Sequence, residues 1–464
     1  MASVSPAMQA LTKSYMGRFP QVLRHAKRTI GREAEFPVVE RNGEAGDVQR
    51  LMRSLMGMDS TLEVTCENDG KRISSLRSPD GSIEYTIEVG TGTVEVITGP
   101  FPDLGALNTT HEDAVGGLVR AANTEGLAVL GCGMQPVTPA SAELMTARPR
   151  YKTLEEILGP GWLWFSATAS DQVHVDICAP EVASVTSACN AMVPAIIALC
   201  GNSGVHSGSS SEYTCTREGM MGTISAAMGR HGLPPSPVAN IDEWMDQITS
   251  LDYLIKLIEF NDEQYKVGER MTVPALLNGA ILPFSDHLAQ AGAGWDDFAN
   301  FEMHEHYVWH SARPRTKQST VELRSACQQP GDSHMAASAL SLGLVEATPQ
   351  LLQYVLTGEV PSSADSGVSE LPEDWANRLK AEWPRLRQLH HQAMTTGLAN
   401  ADVAEFSAGA LEICSQGLER RGLGESKWLL PLFSRLEVRQ NPAQLAQATL
   451  EAGGMEKLIS ELRI

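Results

Sequence analysis

Between residues 61 and 98, apolar and polar side chains alternate through TLEVTCEN, KRISSLRS and SIEYTIEVGTGTVEVIT, broken by the turn pairs Asp69–Gly70 and Asp80–Gly81. A period of two sends alternate side chains to opposite faces of a strand, and Asp-Gly marks chain reversal. The stretch therefore predicts an antiparallel meander. GREAEFPVV, closed by Asn42–Gly43, and DQVHVDI around residue 174 extend the pattern, and TVELRSA adds a late strand. The rest reads as helix: residues 1–29, 47–58, a run capped by Asp103, a run opened by Pro180, and NIDEWMDQITSLDYLIKLIEF at 240–260. From Ser333 onward helices dominate, interrupted by a Pro/Ser/Asp-rich link at 360–372. Strands first and helices afterwards predict an α+β fold, an antiparallel sheet flanked by helices with a helical C-terminal region. The division expected is an N-terminal helix over 1–29, a catalytic sheet domain over 30–345, and helices over 346–464 packed on the core.

Charge narrows the partners. The 464 residues carry 36 basic and 56 acidic side chains, a formal net charge of −20. That excess repels phosphate backbones and anionic lipid heads, so neither nucleic acid nor a membrane surface is an expected partner. The first twenty residues lack the basic-then-apolar layout of an export signal, and no apolar run approaches ~18 residues. Eight cysteines without a CxxC pair read as reduced thiols in a cytoplasmic protein.

The informative residues are acids on strands. Glu33 and Glu35 sit two apart, on one face and about 7 Å from each other. Mg²⁺ takes oxygen ligands at such spacing and completes its shell with water and phosphate. Taken alone, the pair also suits a solvated strand face. Glu88 and Glu95 flank Gly90–Thr91–Gly92 in what reads as one strand, where the glycines could supply a bulge that turns both acids inward. Val94, Val96 and Ile97 mark that strand as buried, so Glu95 needs a cation. Gln172, His174 and Asp176 share one face of DQVHVDI, which suggests a cavity lining. Glu322 and Arg324, again two apart, fit metal ligation beside a phosphate clamp; a surface ion pair is the plain alternative. Arg313 and Arg315 add cationic donors for an anionic substrate.

Taken in order, GREAEFPVV, TVEVITGPF, GLAVLGCGMQP, DQVHVDI, ALCGNSGVHSG…YTCTR and HEHYVWHSARPR…TVELR resemble the glutamate–cysteine ligase superfamily, in particular its smaller bacterial and plant-type carboxylate–amine ligases. The resemblance covers about residues 28–345. It implies a glutamine-synthetase-like fold, a sheet curved into a funnel with Mg-ATP at one end and the amino acid deeper inside. It also implies that glutamate's side-chain carboxylate takes the γ-phosphoryl group of ATP and that an amine, cysteine first, attacks the acyl phosphate. Carried over by motif, Glu33, Glu35, Glu95, His174 and Glu322 are metal positions for two or three Mg²⁺ ions, or Mn²⁺. Glu322 and Arg324 are the catalytic pair, with Arg324 and Gln172 on the nucleotide. Glu88, Arg217, Arg313 and Arg315 fall on the substrate side. The Gly-rich loop reads Asn202–Ser203–Gly204–Val205 where the family has an aromatic residue and proline, so an amine other than cysteine is the alternative substrate.

Other chemistries are weighed on the same residues. His304, His306 and His310 could share a strand face and bind Zn²⁺ in a metallohydrolase. A covalent thiol at Cys178, Cys215 or Cys327 lacks a histidine at catalytic spacing. A catalytically silent binding relative would be expected to have lost strand carboxylates, and none is missing. Asp176 and Glu212 are candidates for the base that accepts the amine proton.

Overall fold

The computed structural model describes residues 5–67, 70–225, 229–259, 270–361 and 370–464. Asp69 of the first predicted turn pair and residues 362–369 of the predicted link lie outside the described residues. The architecture is α+β, built on a nine-stranded sheet. Its strands are β1 (Ile30–Val39), β2 (Glu63–Cys66), β3 (Ile73–Arg77), β4 (Ile83–Ile87), β5 (Thr93–Phe101), β6 (Ala128–Val129), β7 (Asp171–Asp176), β8 (Ala312–Arg315) and β9 (Thr320–Leu323). They run β8-β9-β7-β1-β5-β4-β3-β2, with β6 against the end of β1 and every ladder antiparallel.

The alternation seen in the sequence becomes a two-faced sheet. Ala34, Phe36, Val94, Val96, Val173, Val175, Val321 and Leu323 are buried on one face. Part of that face packs on the helices Val48–Met58 and Leu104–Thr124, whose first turns are capped by Asp47 and Asp103. The rest packs on the helices Val182–Ala191, Val193–Cys200, Ala336–Glu346, Trp375–Thr395 and Ala401–Arg421 in the largest core cluster. With the apolar face covered, the other carries the acids and arginines. No single helix of the described residues is long and apolar enough to cross a membrane.

Four expectations change. The N-terminal helix is Pro6–Met16, shorter than the 1–29 reading, because Gly17 caps it and Pro20 cannot continue it. The helix opened by Pro180 breaks at Met192, just before Pro194, into two pieces bent by 48°. The predicted helix 240–260 stops at Thr249, and Ile255–Glu259 forms a strand against Arg270–Pro274. Ile255, Leu257 and Ile258 suit a half-buried strand as well as a helix, and pairing across the ladder decides between them. Finally, residues 83–101 are a hairpin rather than one bulged strand. The Thr93 amide donates to the Gly90 carbonyl and reverses the chain, so Thr86 faces Glu95 across the ladder.

Candidate functional site

Strand register assembles the site. Across β1–β5, Glu35 lies opposite Glu95; across β1–β7, Glu33 lies opposite Gln172; across β7–β9, His174 lies opposite Glu322; across β8–β9, Arg313 lies opposite Glu322. All these side chains emerge on the polar face. All of them except His174 line a cavity of about 330 Å³ together with Glu88, Arg217, Arg315 and Arg324. His174 lines a second cavity of about 460 Å³, and the two cavities share Glu33 and Ile97. Exposed Arg24, Arg77 and Lys317 rim the second.

Carboxylate oxygens of Glu35, Glu88 and Glu95 lie within 4.8 Å of one another. Glu35 is held in place: its Oε2 accepts from the Ser170 amide at 2.6 Å and its Oε1 from Gln172 Nε2 at 2.8 Å. Burial, then the Glu35 charge, pushes the Glu88 carboxyl up to about 7. Burial, followed by Glu88 and Glu33, drives Glu95 well above the usual carboxylate range. Burial also raises Glu35, against the pull of Arg217. Three crowded acids on hard oxygen donors, each resisting ionisation, are a donor set that fits a divalent cation such as Mg²⁺.

Glu322 sits in a different environment. Arg313 Nε donates to its Oε2 at 3.0 Å, Arg315 Nε lies 3.2 Å from the same oxygen, and Arg324 Nη1 contacts Oε1. Burial opposes ionisation of Glu322, but Arg313, Arg324 and Arg315 outweigh it and hold the carboxyl well below its ordinary value. Of the residues expected to hold metal, Glu35 and Glu95 therefore cluster with Glu88, which the sequence reading assigns to substrate. Glu33 instead lies 3.2 Å from His174 Nε2, and Glu322 lies among guanidinium groups. Desolvation raises Glu33, but the His174 imidazole offsets it and holds the carboxyl below its ordinary value. Arg324 also donates to Gln172, which ties the two residues expected on the nucleotide.

Sequence reasoning leaves out two arginines of the cavity wall. Arg148 donates to Glu67 Oε1 at 2.8 Å and to the Tyr151 hydroxyl at 2.9 Å. Arg150 packs over the Tyr151 ring and has no carboxylate partner among the described residues. The Arg-Pro-Arg spacing at 148–150, opening a helix at Pro149, is the only signal they give. Trp162, Phe165 and Trp309 form an aromatic flank to the same cavity.

The zinc alternative is overturned. His304 and His306 lie on the helix Phe298–His306, while His310 lies on a separate short strand. His304 Nε2 is bonded to the Ile248 carbonyl and His310 Nε2 to that of Gly229. Among the described residues the metal-type cluster is Glu35, Glu88 and Glu95. The two candidate bases stand apart from it: Asp176 accepts from the Thr29 amide and hydroxyl, and Glu212 is exposed.

The family model described as glutamate–cysteine ligase family 2 matches residues 29–362. A Rubrobacter xylanophilus protein named "Putative glutamate--cysteine ligase 2-3" is 23% identical over 315 residues, 67% of each chain. A Nocardia farcinica protein named "Putative glutamate--cysteine ligase 2-2" is 27% identical over 165 residues, 35% of this chain and 42% of that one. Among solved structures, a bifunctional glutathione synthetase from Pasteurella multocida superposes with a TM-score of 0.50 at 12% identity. The match takes in 98% of this chain but only 53% of that enzyme, and the likeness is one of fold.

Proposed function

Because the chain belongs to glutamate–cysteine ligase family 2, we propose that it is an ATP-dependent carboxylate–amine ligase joining the γ-carboxylate of glutamate to an amine, cysteine being the first choice. The observation that carries this reading is the junction of two cavities at Glu33. One is rimmed by cations that suit a triphosphate. The other holds the three-carboxylate cluster beside the arginines that surround Glu322. A phosphoryl group crossing from one cavity to the other needs its charge neutralised and its path aligned, and both kinds of group stand at the crossing.

A carboxylate is a poor acyl donor until it is phosphorylated. In the first step a glutamate oxygen attacks the γ-phosphorus and ADP leaves; in the second the amine nitrogen attacks the acyl carbon, inorganic phosphate leaves and the nitrogen loses a proton. Glu35, Glu88 and Glu95 would hold one divalent ion, Mg²⁺ or Mn²⁺. Glu33, His174 and Glu322, neighbours across the β1, β7 and β9 ladders, offer a second set. Bound there, such ions neutralise phosphate oxygens. Arg324, anchored by Glu322 and Gln172, faces the charge that develops on the transferring group, where preorganised donors act most strongly. Arg150, with its guanidinium uncommitted to any carboxylate among the described residues, meets the α-carboxylate of the donor amino acid.

The test is ADP release from Mg-ATP by the purified protein with glutamate and a panel of amines, with product masses. Expected are amine-dependent ADP and an amide product, with turnover lost by orders of magnitude in Glu35→Ala. Absence of ADP with every carboxylate–amine pair would overturn the reading.

A further inference from the structure

Behind the site, beyond Arg217, lies a third cavity of about 500 Å³ whose wall includes Tyr213, Glu218, His231, Leu233, Arg387 and His390. His231 also lines the cavity of the carboxylate cluster, so the two spaces share a wall. Glu218 follows Arg217 at the start of the helix Thr216–Ser225 and is only 3% exposed. Its Oε1 accepts from Arg217 Nη1 at 2.7 Å, whereas its Oε2 is buried and has no hydrogen-bond partner among the described residues. Arg387, exposed on the helix Trp375–Thr395, donates Nη2 to the Pro234 carbonyl and has no ion-pair partner among the described residues.

We propose that this chamber is the subsite of the acceptor amine, with Glu218 Oε2 binding the ammonium group of a zwitterionic amino acid and Arg387 its carboxylate. The proposal rests on the ligase reading and deepens it. Of the acids in the main cavity, Glu33 lies against His174, Glu322 lies among three arginines, and Glu35, Glu88 and Glu95 form the cluster that suits a divalent ion. Glu218 alone among these acids pairs with a single arginine through one oxygen and keeps the other bare. A buried acceptor without a donor is costly, and an ammonium group supplies three charge-assisted donors. Burial raises the Glu218 carboxyl against the pull of Arg217 and Arg324, a penalty that an incoming cation would offset. The imidazoles beside it do not compete for the carboxylate. Burial lowers His231 well below its ordinary value and takes His390 down to about 4, so both are neutral near pH 7. Their Nδ1 and Nε2 atoms, respectively, are buried without partners among the described residues and offer further polar contacts. Leu233 and Met394 supply apolar wall for a side chain.

The test uses the full chain with Mg-ATP and glutamate and compares nucleophiles. Hydroxylamine, small and uncharged near neutral pH, traps the acyl phosphate as a hydroxamate without needing an ammonium site. The second nucleophile is whichever of the twenty amino acids releases most ADP, and the third is its decarboxylated amine. Expected for Glu218→Gln is a fall of about tenfold or more in kcat/KM for the amino acid relative to hydroxylamine, through KM. Expected for Arg387→Met is a fall of about fivefold or more in preference for the amino acid over its decarboxylated amine. Equal losses toward all nucleophiles, as a purely structural Arg217–Glu218 pair predicts, would overturn the proposal. So would a wild type that makes hydroxamate but accepts no amino acid. No hydroxamate in the wild type would instead sink the ligase reading, and this proposal with it.

Discussion

Glu35 and Glu95 stand directly opposite each other across the β1–β5 ladder, two carboxylates paired where a sheet ordinarily pairs opposite charges or apolar groups. Like charges at that position oppose folding, so the arrangement persists at a cost to the sheet. Replacing Glu95 by Gln should raise stability without divalent ions by about 0.5–1 kcal/mol. The same change should abolish stabilisation by Mg²⁺ and cut turnover by orders of magnitude. Thermal melts with and without Mg²⁺, alongside ADP release, read both effects. A variant that melts lower and keeps its turnover would remove the cluster from the mechanism.

At Gly90 the turn that delivers Glu88 and Glu95 has no room for a side chain. A Cβ on Gly90 would lie 1.9 Å from the Ser166 carbonyl oxygen. Gly90→Ala must therefore shift backbone, at a cost of about 1–3 kcal/mol. It should also displace both acids. Urea unfolding and ADP release on one preparation should fall together, and turnover that survives a lowered midpoint would separate the turn from the site.

What the sequence made legible is periodic. Period two put Glu33 with Glu35 and Gln172 with His174 on one face of their own strands, because side-chain direction in a strand needs no tertiary information, whereas the pairing of those strands into one sheet comes from the fold. Chain reversal at Gly90–Thr91–Gly92 was harder to see, since a bulge and a tight turn use the same residues. The stretch after Thr249 failed for a related reason: short apolar runs suit helix or strand, and here a partner strand settles it. Arg148 and Arg150 carry no periodic mark at all; their place in the wall comes from the helix start at Pro149 and from Tyr151. Glu218 was masked by its neighbour Arg217, which the motif resemblance singled out.

Arg150 offers a kinetic check on substrate orientation. Its guanidinium lies over Tyr151 and faces no carboxylate among the described residues, so truncation leaves no buried acid unpaired. Arg150→Ala should raise KM for glutamate by about tenfold with a smaller change in kcat, the pattern of lost ground-state binding. Initial rates across glutamate concentrations decide it; an unchanged KM would point the donor carboxylate elsewhere.

A pH effect follows from the N-terminal segment. Arg28 grips Glu181 through two hydrogen bonds of 2.7 Å. Partial burial works against the Glu181 charge, but the Arg28 hydrogen bonds and charge prevail, and the carboxyl titrates below its ordinary value. A depressed carboxyl contributes stability that is present above the unfolded value near 4.5 and disappears as pH falls through the folded one. Glu181→Gln should therefore lower stability by about 1–2 kcal/mol at pH 7 and by progressively less in acid. Melting curves of both proteins from pH 7 down to about 3 should converge; a constant gap would assign the effect to packing.

On the apolar face of the sheet, outside the cavity of the carboxylate cluster although Arg32 reaches the wall of the second cavity, Arg32 and Asp171 form an ion pair with both side chains fully buried. Arg32 Nε and Nη2 donate to the two Asp171 oxygens at 2.7 and 2.8 Å, and Nη2 also donates to the His334 carbonyl. The pair links β1 to β7 behind Glu33 and Gln172, so it braces the strands that carry the site without touching the cavity of the carboxylate cluster. Removing two charges from water costs much of what their attraction returns, so the pair as a whole adds little net stability, whereas losing one member strands the other. Asp171→Ala should therefore cost about 3–5 kcal/mol, while Arg32→Met combined with Asp171→Leu should recover most of that loss. Denaturant midpoints of the three proteins measure it. A double variant as unstable as the single one would mean that these strands need the polar pair to hold their register, and its ADP release would then fall with its stability.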